Sequence, residues 1–539
     1  MVTPYSFGSM FQDATPVLIV VSSIFFVVFI AQYIRYIKTV DLPLPPGPRP
    51  LPIIGNVFDI PKKLLPCDYR EISNRYGDIV HLHALGQHII LLGSLEVAIE
   101  LLERRSVKYS GKPYSAMSEL YDATPRMTAV MNSGPTWRKH RRELHKFFSP
   151  SAYTQWNAMQ EGGIRQLLSL LLEDPEHFAE HAELYVHSLP CLAYGILPKD
   201  HHDEALKLAM KGANILSDAF VPGKYLVESF PQAILRHIPS WFPGARFQRE
   251  IATWRRTLSL VRNKAFDDSI AKMDIHSLVP YFGQRGGSFE RSMVTAMVQE
   301  AEGKGTFSHE TDSIARDVSF DVYLDFHYHR GGVDITLITT RVFLLAMALN
   351  PQAQKRAQAQ LDAVIGATRL PSLSNRDSLG LPYIEALVME CHRWHPILPF
   401  TLPRMYTGEE DEYKGYRILK GSLVIANTWA FAHDPRNYPD PEKFMPERYL
   451  TKEGKLNPDI RDPRTFTFGY RRRACPGRHF GDASVWLAVA SILHVFDIRP
   501  PLDDNGEPVA LTAKFTEGLL SAPEPFQCRI TPGLPPRKL

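Results

Sequence analysis

Phe468-Gly469-Tyr470-Arg471-Arg472-Arg473-Ala474-Cys475-Pro476-Gly477 is a basic loop that runs into an apolar stretch of helical period from about His479 to Val495. A cysteine at such a junction meets backbone N–H groups and the positive end of a helix. Both lower the thiol pKa and suit the sulfur to ligate a metal of intermediate softness. Haem iron is the obvious candidate. Arg473, two residues before the sulfur, is placed to reach a haem propionate, and Gly477 lets backbone approach a porphyrin. The competing reading is a buried cysteine packed as a small hydrophobe beside a basic loop.

The rest of the composition narrows the class. With 539 residues, 44% of them hydrophobic and 22% charged, the chain buries a large core and is no disordered, collagen-like or disulfide-scaffold protein. Lys plus Arg number 61 against 58 Asp plus Glu, and a formal charge of +3 is too small for a dedicated nucleic-acid binder. Five cysteines without a C-x-x-C pair suggest neither a disulfide framework nor a structural zinc site.

Residues 14–34 carry no charge, and 21 residues as a helix at ~1.5 Å each reach about 31 Å, the thickness of a bilayer core. A cleaved signal peptide is the rival reading, but no Lys or Arg precedes Arg35 and no A-x-A site follows. Arg35 and Lys38 follow the span, so the positive-inside rule puts the body in the cytosol and suggests the endoplasmic reticulum membrane. Residues 43–52, Pro-Leu-Pro-Pro-Gly-Pro-Arg-Pro-Leu-Pro, then form a stiff extended hinge.

The expected organisation is a single-pass anchor at 14–34, a hinge at 43–52 and a catalytic domain over 53–539. Within that domain, β-like runs concentrate near 79–92, 413–427 and 508–530, while the middle has helical period. That is a mainly α domain with small β-sheets. Residues 283–312, with Gly286-Gly287 and Gly303-Lys-Gly305, read as a surface connection between helices.

The string around Cys475 resembles the haem-binding signature of the cytochrome P450 family, F-x-x-G-x-R-x-C-x-G, at Phe468, Arg473, Cys475 and Gly477. One position departs, since Arg471 stands where the signature has glycine, and a φ above zero there would store strain of order 1–3 kcal/mol. Glu390-Cys-His-Arg393 resembles the family's ExxR motif. Pro446-Glu-Arg-Tyr449 resembles the segment whose arginine, here Arg448, completes a structural Glu-Arg-Arg cluster. Trp137-Arg-Lys-His-Arg141 resembles the WxxxR motif, and Trp137 and Arg141 lie one helical turn apart, both able to reach haem carboxylates. Arg404 falls where many relatives place a propionate contact.

The resemblance also implies a long distal helix with an A-G-x-D-T-like motif, matched locally by Gly331-Gly-Val-Asp-Ile-Thr336. Asp334 would feed a proton relay during oxygen activation. The usual hydroxyl position is Ile335, and Thr336 lies about 100° further round the helix, so it serves only if the helix shifts or bulges. His327 and His329 face apart at i, i+2 and do not make a metal site.

What the resemblance implies is a membrane-anchored monooxygenase with haem b on the Cys475 thiolate, drawing electrons from NADPH through a flavoprotein reductase. It would oxidise a lipophilic small molecule, as fungal secondary-metabolism enzymes do. Arg138, Lys139, Arg142, Lys146, Arg472 and Arg478 are candidates for a basic docking face for an acidic reductase. Ile335 keeps open an isomerase, dehydratase or peroxygenase. Arg471 and the altered distal motif keep open a non-catalytic haem-binding membrane protein.

Overall fold

The computed structural model describes residues 30, 42–61, 65–189, 191–195, 203–219, 239, 241, 246–271, 292–325, 335–378 and 380–533. The 14–34 span lies outside them apart from Ile30, as do His327, His329 and Asp334. Among the described residues no helix is long and apolar enough to cross a membrane.

The strands are β1 (Ile79–Ala84), β2 (Gln87–Leu92), β3 (Arg404–Met405), β4 (Glu410–Tyr413), β5 (Tyr416–Leu419), β6 (Leu423–Ala426), β7 (Phe496–Arg499) and β8 (Arg529–Pro532). The principal helices are α1 (Pro66–Tyr76), α2 (Pro135–Phe148), α3 (Asn157–Glu173), α4 (Phe178–Ser188), α5 (Glu204–Ala219), α6 (Arg246–Ala271) and α7 (Met293–Gly303). They continue as α8 (His309–Asp325), α9 (Ile335–Leu349), α10 (Pro351–Val364), α11 (Leu373–Ser378), α12 (Pro382–Trp394), the single turn α13 (Arg464–Thr467) and α14 (Arg478–Val495).

The chain divides into two units, residues 1–45 with 408–420, and residues 46–407 with 421–539. In the smaller unit β4 and β5 pair antiparallel around Lys414-Gly415, whose φ values of 51° and 79° suit a tight two-residue hairpin turn. The larger unit holds a four-stranded sheet in the order β1-β2-β6-β3, with β2 parallel to β6 and the other pairs antiparallel. A separate antiparallel pair joins β7 to β8.

α9 and α14 form the centre of the larger unit. From Thr336 to Ala348 every residue of α9 but Arg341 is buried, and α14 is buried continuously from Ala483 to Val495. Helices apolar on all sides are stable only when surrounded, and each fully buried large side chain contributes about 1.5–3 kcal/mol. α9, α3, α10 and α12 surround α14. This fixes the helix that begins three residues after Cys475.

Two sequence expectations change. Residues 508–528 form no strand and make only the isolated bridges Leu502↔Pro508 and Phe515↔Pro523, each of which includes a proline that lacks the N–H to extend a ladder at that point. Within 283–312 the helix α7 occupies Met293–Gly303, started by Ser292, whose hydroxyl accepts the Thr295 N–H at 3.2 Å. Gly303 is its last residue rather than part of a connection.

Candidate active site around Cys475

The cysteine loop is closed by its own backbone. Cys475 N–H donates to Phe468 O at 2.9 Å, and Arg471–Arg473 make one tight 3₁₀ turn. Arg471 has φ +39°, so the residue in place of the signature glycine does sit in left-handed backbone. Gly477 is the N-cap of α14, which directs the positive helix end toward the loop. Cys475 is exposed, whereas Cys391 and Cys528 are buried, and burial pushes both of those thiols up, Cys528 to about 12.

α2 lies against this loop. Gly134 and Pro135 start the helix, and the one-turn spacing brings Trp137 and Arg141 to the same side. Arg141 Nη1 donates to Ala474 O at 3.0 Å, next to the sulfur-bearing residue. Trp137 is 5% exposed and its indole Nε1–H has no hydrogen-bond partner among the described residues. The guanidinium carbons of Arg473, Arg472 and Arg141 stand 4.7, 5.8 and 5.9 Å from its ring centroid.

Arg473 fastens the loop to the segment before α2, donating to Ser110 O at 2.9 Å, Thr128 O at 3.3 Å and Met131 O at 2.7 Å. Arg404, on β3, is fully buried and donates to Leu102 O at 3.1 Å and Tyr470 O at 3.0 Å. Burial lowers both guanidinium groups to about 10, and Arg404, Arg141 and Arg472 add to the effect on Arg473.

Lys112 was not singled out by sequence reasoning. Its ammonium is buried beside the two arginines and donates to Pro403 O at 3.2 Å, and burial, then Arg473 and Arg404, bring its pKa from 10.5 to about 7. No carboxylate of the described residues neutralises Lys112, Arg141, Arg404 or Arg473. Thr128 was missed as well. Its N–H and hydroxyl donate to buried Asp321 of α8, and its Oγ1 is 3.1 Å from His140 Nδ1. With the hydroxyl proton directed to Asp321, Nδ1 is the donor in that second bond. These partners come from distant segments, and no local motif marks them.

The ExxR helix forms the opposite support. Arg393 of α12, fully buried, donates Nε and Nη2 to the two Glu390 oxygens at 2.8 and 2.9 Å, and its remaining N–H groups go to Ala432, Pro441 and Lys443 carbonyls. Arg448 Nε lies 3.2 Å from Glu390, and its other donors reach Pro439, Asp440 and Lys443 carbonyls. One carboxylate and two forks thus lock the segment 432–448.

On α9, Ile335 is 39% exposed and Thr336 4%, in keeping with the rotation between successive residues. Thr336 Oγ1 lies 4.0 Å from where a Cβ on Gly481 of α14 would stand, and α9 is regular from Ile335 onward. Of the basic-face residues, Lys139 pairs with Glu310, and Lys146 pairs with Glu143 at 2.8 Å and Glu300 at 2.9 Å. The positive face is therefore reduced to Arg138, Arg142, Arg472 and Arg478.

The sequence profile described as Cytochrome P450 matches residues 45–181 and 326–530. The chain belongs to the cytochrome P450 family. It is 36% identical to cytochrome P450 monooxygenase COX2 of Coprinopsis cinerea, over 91% of this chain and 89% of that protein. It is also 36% identical to tryptamine 4-monooxygenase of Psilocybe cyanescens, over 91% and 93%. Identity to cytochrome P450 monooxygenase ple1 of Rhodocybe pseudopiperita is 34%, over 97% and 95%.

Family membership makes the chain a haem-thiolate monooxygenase that takes electrons from a redox partner and acts on a small molecule. The residues around Cys475 fit that cofactor. An orphaned buried indole N–H and four buried or half-buried cations without a carboxylate are complementary to a group bearing two carboxylates.

Proposed function

We propose that this cytochrome P450 oxidises a lipophilic small molecule in fungal secondary metabolism, with Cys475 as the residue that would hold the haem iron and electrons arriving from NADPH through a flavoprotein reductase. The observation that carries the site is the uncompensated cation cluster around Trp137, directly beside the cysteine loop. When bound, the haem supplies the oxygen activation. The α14 N-terminus and Arg141 would present positive charge to the Cys475 sulfur, as a metal-binding thiolate requires. Trp137, Arg141, Arg404 and Arg473 would hold the haem carboxylates, and Phe468 and Gly477 would shape the cysteine loop. Asp334 and Thr336 carry protons to the reaction centre; for Thr336 that role requires α9 to rotate or bulge at its first turn.

Residues 14–34 anchor the chain in the endoplasmic reticulum membrane, residues 43–52 are the hinge, and the domain from 53 onward faces the cytosol. Arg138, Arg142, Arg472 and Arg478 receive the reductase.

Carbon monoxide added to the reduced, haem-loaded protein is expected to give the strongly red-shifted band of cysteinate ligation, and Cys475→Ala is expected to abolish it. An unchanged band in Cys475→Ala would remove that residue from the iron. Product formed without NADPH or oxygen would instead favour the isomerase or peroxygenase chemistry.

A further inference from the structure

A second ionic lattice lies at the base of the cysteine loop, separate from the Glu390 cluster. Asp482 sits on the second turn of α14, seven residues after Cys475. Its carboxylate receives Arg376 Nη2 of α11 at 2.6 Å and Arg464 Nη1 of α13 at 3.1 Å. Both arginines also hold Glu385 of α12, at 2.9 and 2.6 Å. Arg464 is further fixed by Asp462, whose carboxylate takes its Nε at 3.0 Å, its Nη2 at 2.7 Å and its backbone N–H at 2.9 Å. These side chains are only 13–18% exposed, apart from Asp462 at 35%. His392, the residue before Arg393, is wedged between Asp482 Oδ1 at 3.7 Å and the Phe468 ring at 5.4 Å.

The arrangement has a consequence for the loop. α13 ends at Thr467, immediately before Phe468, and α14 begins at Arg478, immediately after Gly477. Arg464 therefore belongs to the element that enters the loop and Asp482 to the element that leaves it. Their ion pair spans the loop's two ends, while the Glu390 cluster grips the more distant segment 432–448. We propose that Asp482 is a positioning residue for the haem ligand: bridged to Arg464 and Arg376, it fixes the separation of the loop ends and so the place of the Cys475 sulfur.

Burial raises the Asp482 carboxyl, but Arg464 and Arg376 outweigh it and hold it well below the usual carboxylate range. The carboxylate is thus charged throughout the working pH range, and the bridge is permanent rather than switched. The Arg376 guanidinium also stands 5.7 Å from the Trp486 ring centroid, one helical turn along α14, which fixes it from a second side.

The inference rests on Cys475 as the iron ligand, and the test separates the two ideas. In the haem-free full chain, Asp482→Asn is expected to speed amide hydrogen exchange in residues 468–477 about tenfold or more, with residues 432–448 unchanged. In the haem-loaded chain, the same variant is expected to lose its red-shifted carbon monoxide band during mild warming at least several-fold faster than the parent. Arg464→Lys keeps the charge but loses the fork and is expected to show the same pattern more weakly, which covers the case in which Asp482→Asn does not fold. Exchange at 468–477 equal to the parent's, or loosening spread equally over 432–448, would overturn the positioning role. A parent protein without the red-shifted band would instead overturn the assignment of Cys475.

Discussion

Around Glu390, two guanidinium forks close on one carboxylate and on the carbonyls of 432–443, so the group is complete within the chain. Around Trp137, half-buried arginines crowd an indole N–H that has no acceptor among the described residues, and buried Lys112 stands near Arg473 and Arg404. The same residue types thus do opposite things. The first cluster balances its buried charge within the chain, and the second holds it at a cost that a bound dianion would relieve.

The contrast predicts opposite signs for charge removal. The largest loss is expected from Arg393→Met, which leaves the buried Glu390 carboxylate with Arg448 and the Met445 N–H as its remaining partners and should cost about 3–5 kcal/mol with or without haem. Chemical denaturation of both forms measures it. A loss confined to the haem-loaded form would erase the distinction between the clusters.

Lys112→Met should act the other way. In the haem-free fold the Lys112 pKa is about 7 against an ordinary 10.5. Between those values the folded chain sheds a proton that the unfolded chain keeps, so stability rises with pH across that window. The substitution should remove this rise and stabilise the haem-free protein below pH 7, by on the order of 5 kcal/mol. It should also weaken haem retention. Denaturation midpoints at about pH 6 and about pH 9, with haem-release rates, sharpen the comparison. Haem-free stability that falls at both pH values would show Lys112 to be already balanced.

The smallest effect concerns the loop between the clusters. Arg471 at φ +39° is strained, and Arg471→Gly should stabilise by about 1 kcal/mol after the entropy that glycine adds to the unfolded chain is deducted. A lower melting temperature would show that the exposed Arg471 side chain contributes more than its backbone costs.

The local strings were sufficient to place the motifs. Cys475 before a helix, Glu390 with Arg393 and Trp137 with Arg141 are each set by spacing within one turn or one loop, and the structure builds α12 and α2 over the latter two pairs and starts α14 three residues after Cys475. The positive φ at Arg471 followed from its place in the loop. The stretch 508–528 misled, because local alternation does not say whether another strand comes alongside, and here it makes only two isolated bridges.

By itself, then, the sequence determined the family motifs and the helices that carry or follow them, since periodicity and capping act over a few residues. Only the tertiary structure decided what balances each charge. Asp482 meets Arg376 across 106 positions, Asp321 meets Thr128 across 193 and Lys112 reaches Pro403 across 291. Such encounters depend on how buried helices and loops stack, and Coulomb forces between side chains follow distance in space rather than separation along the chain.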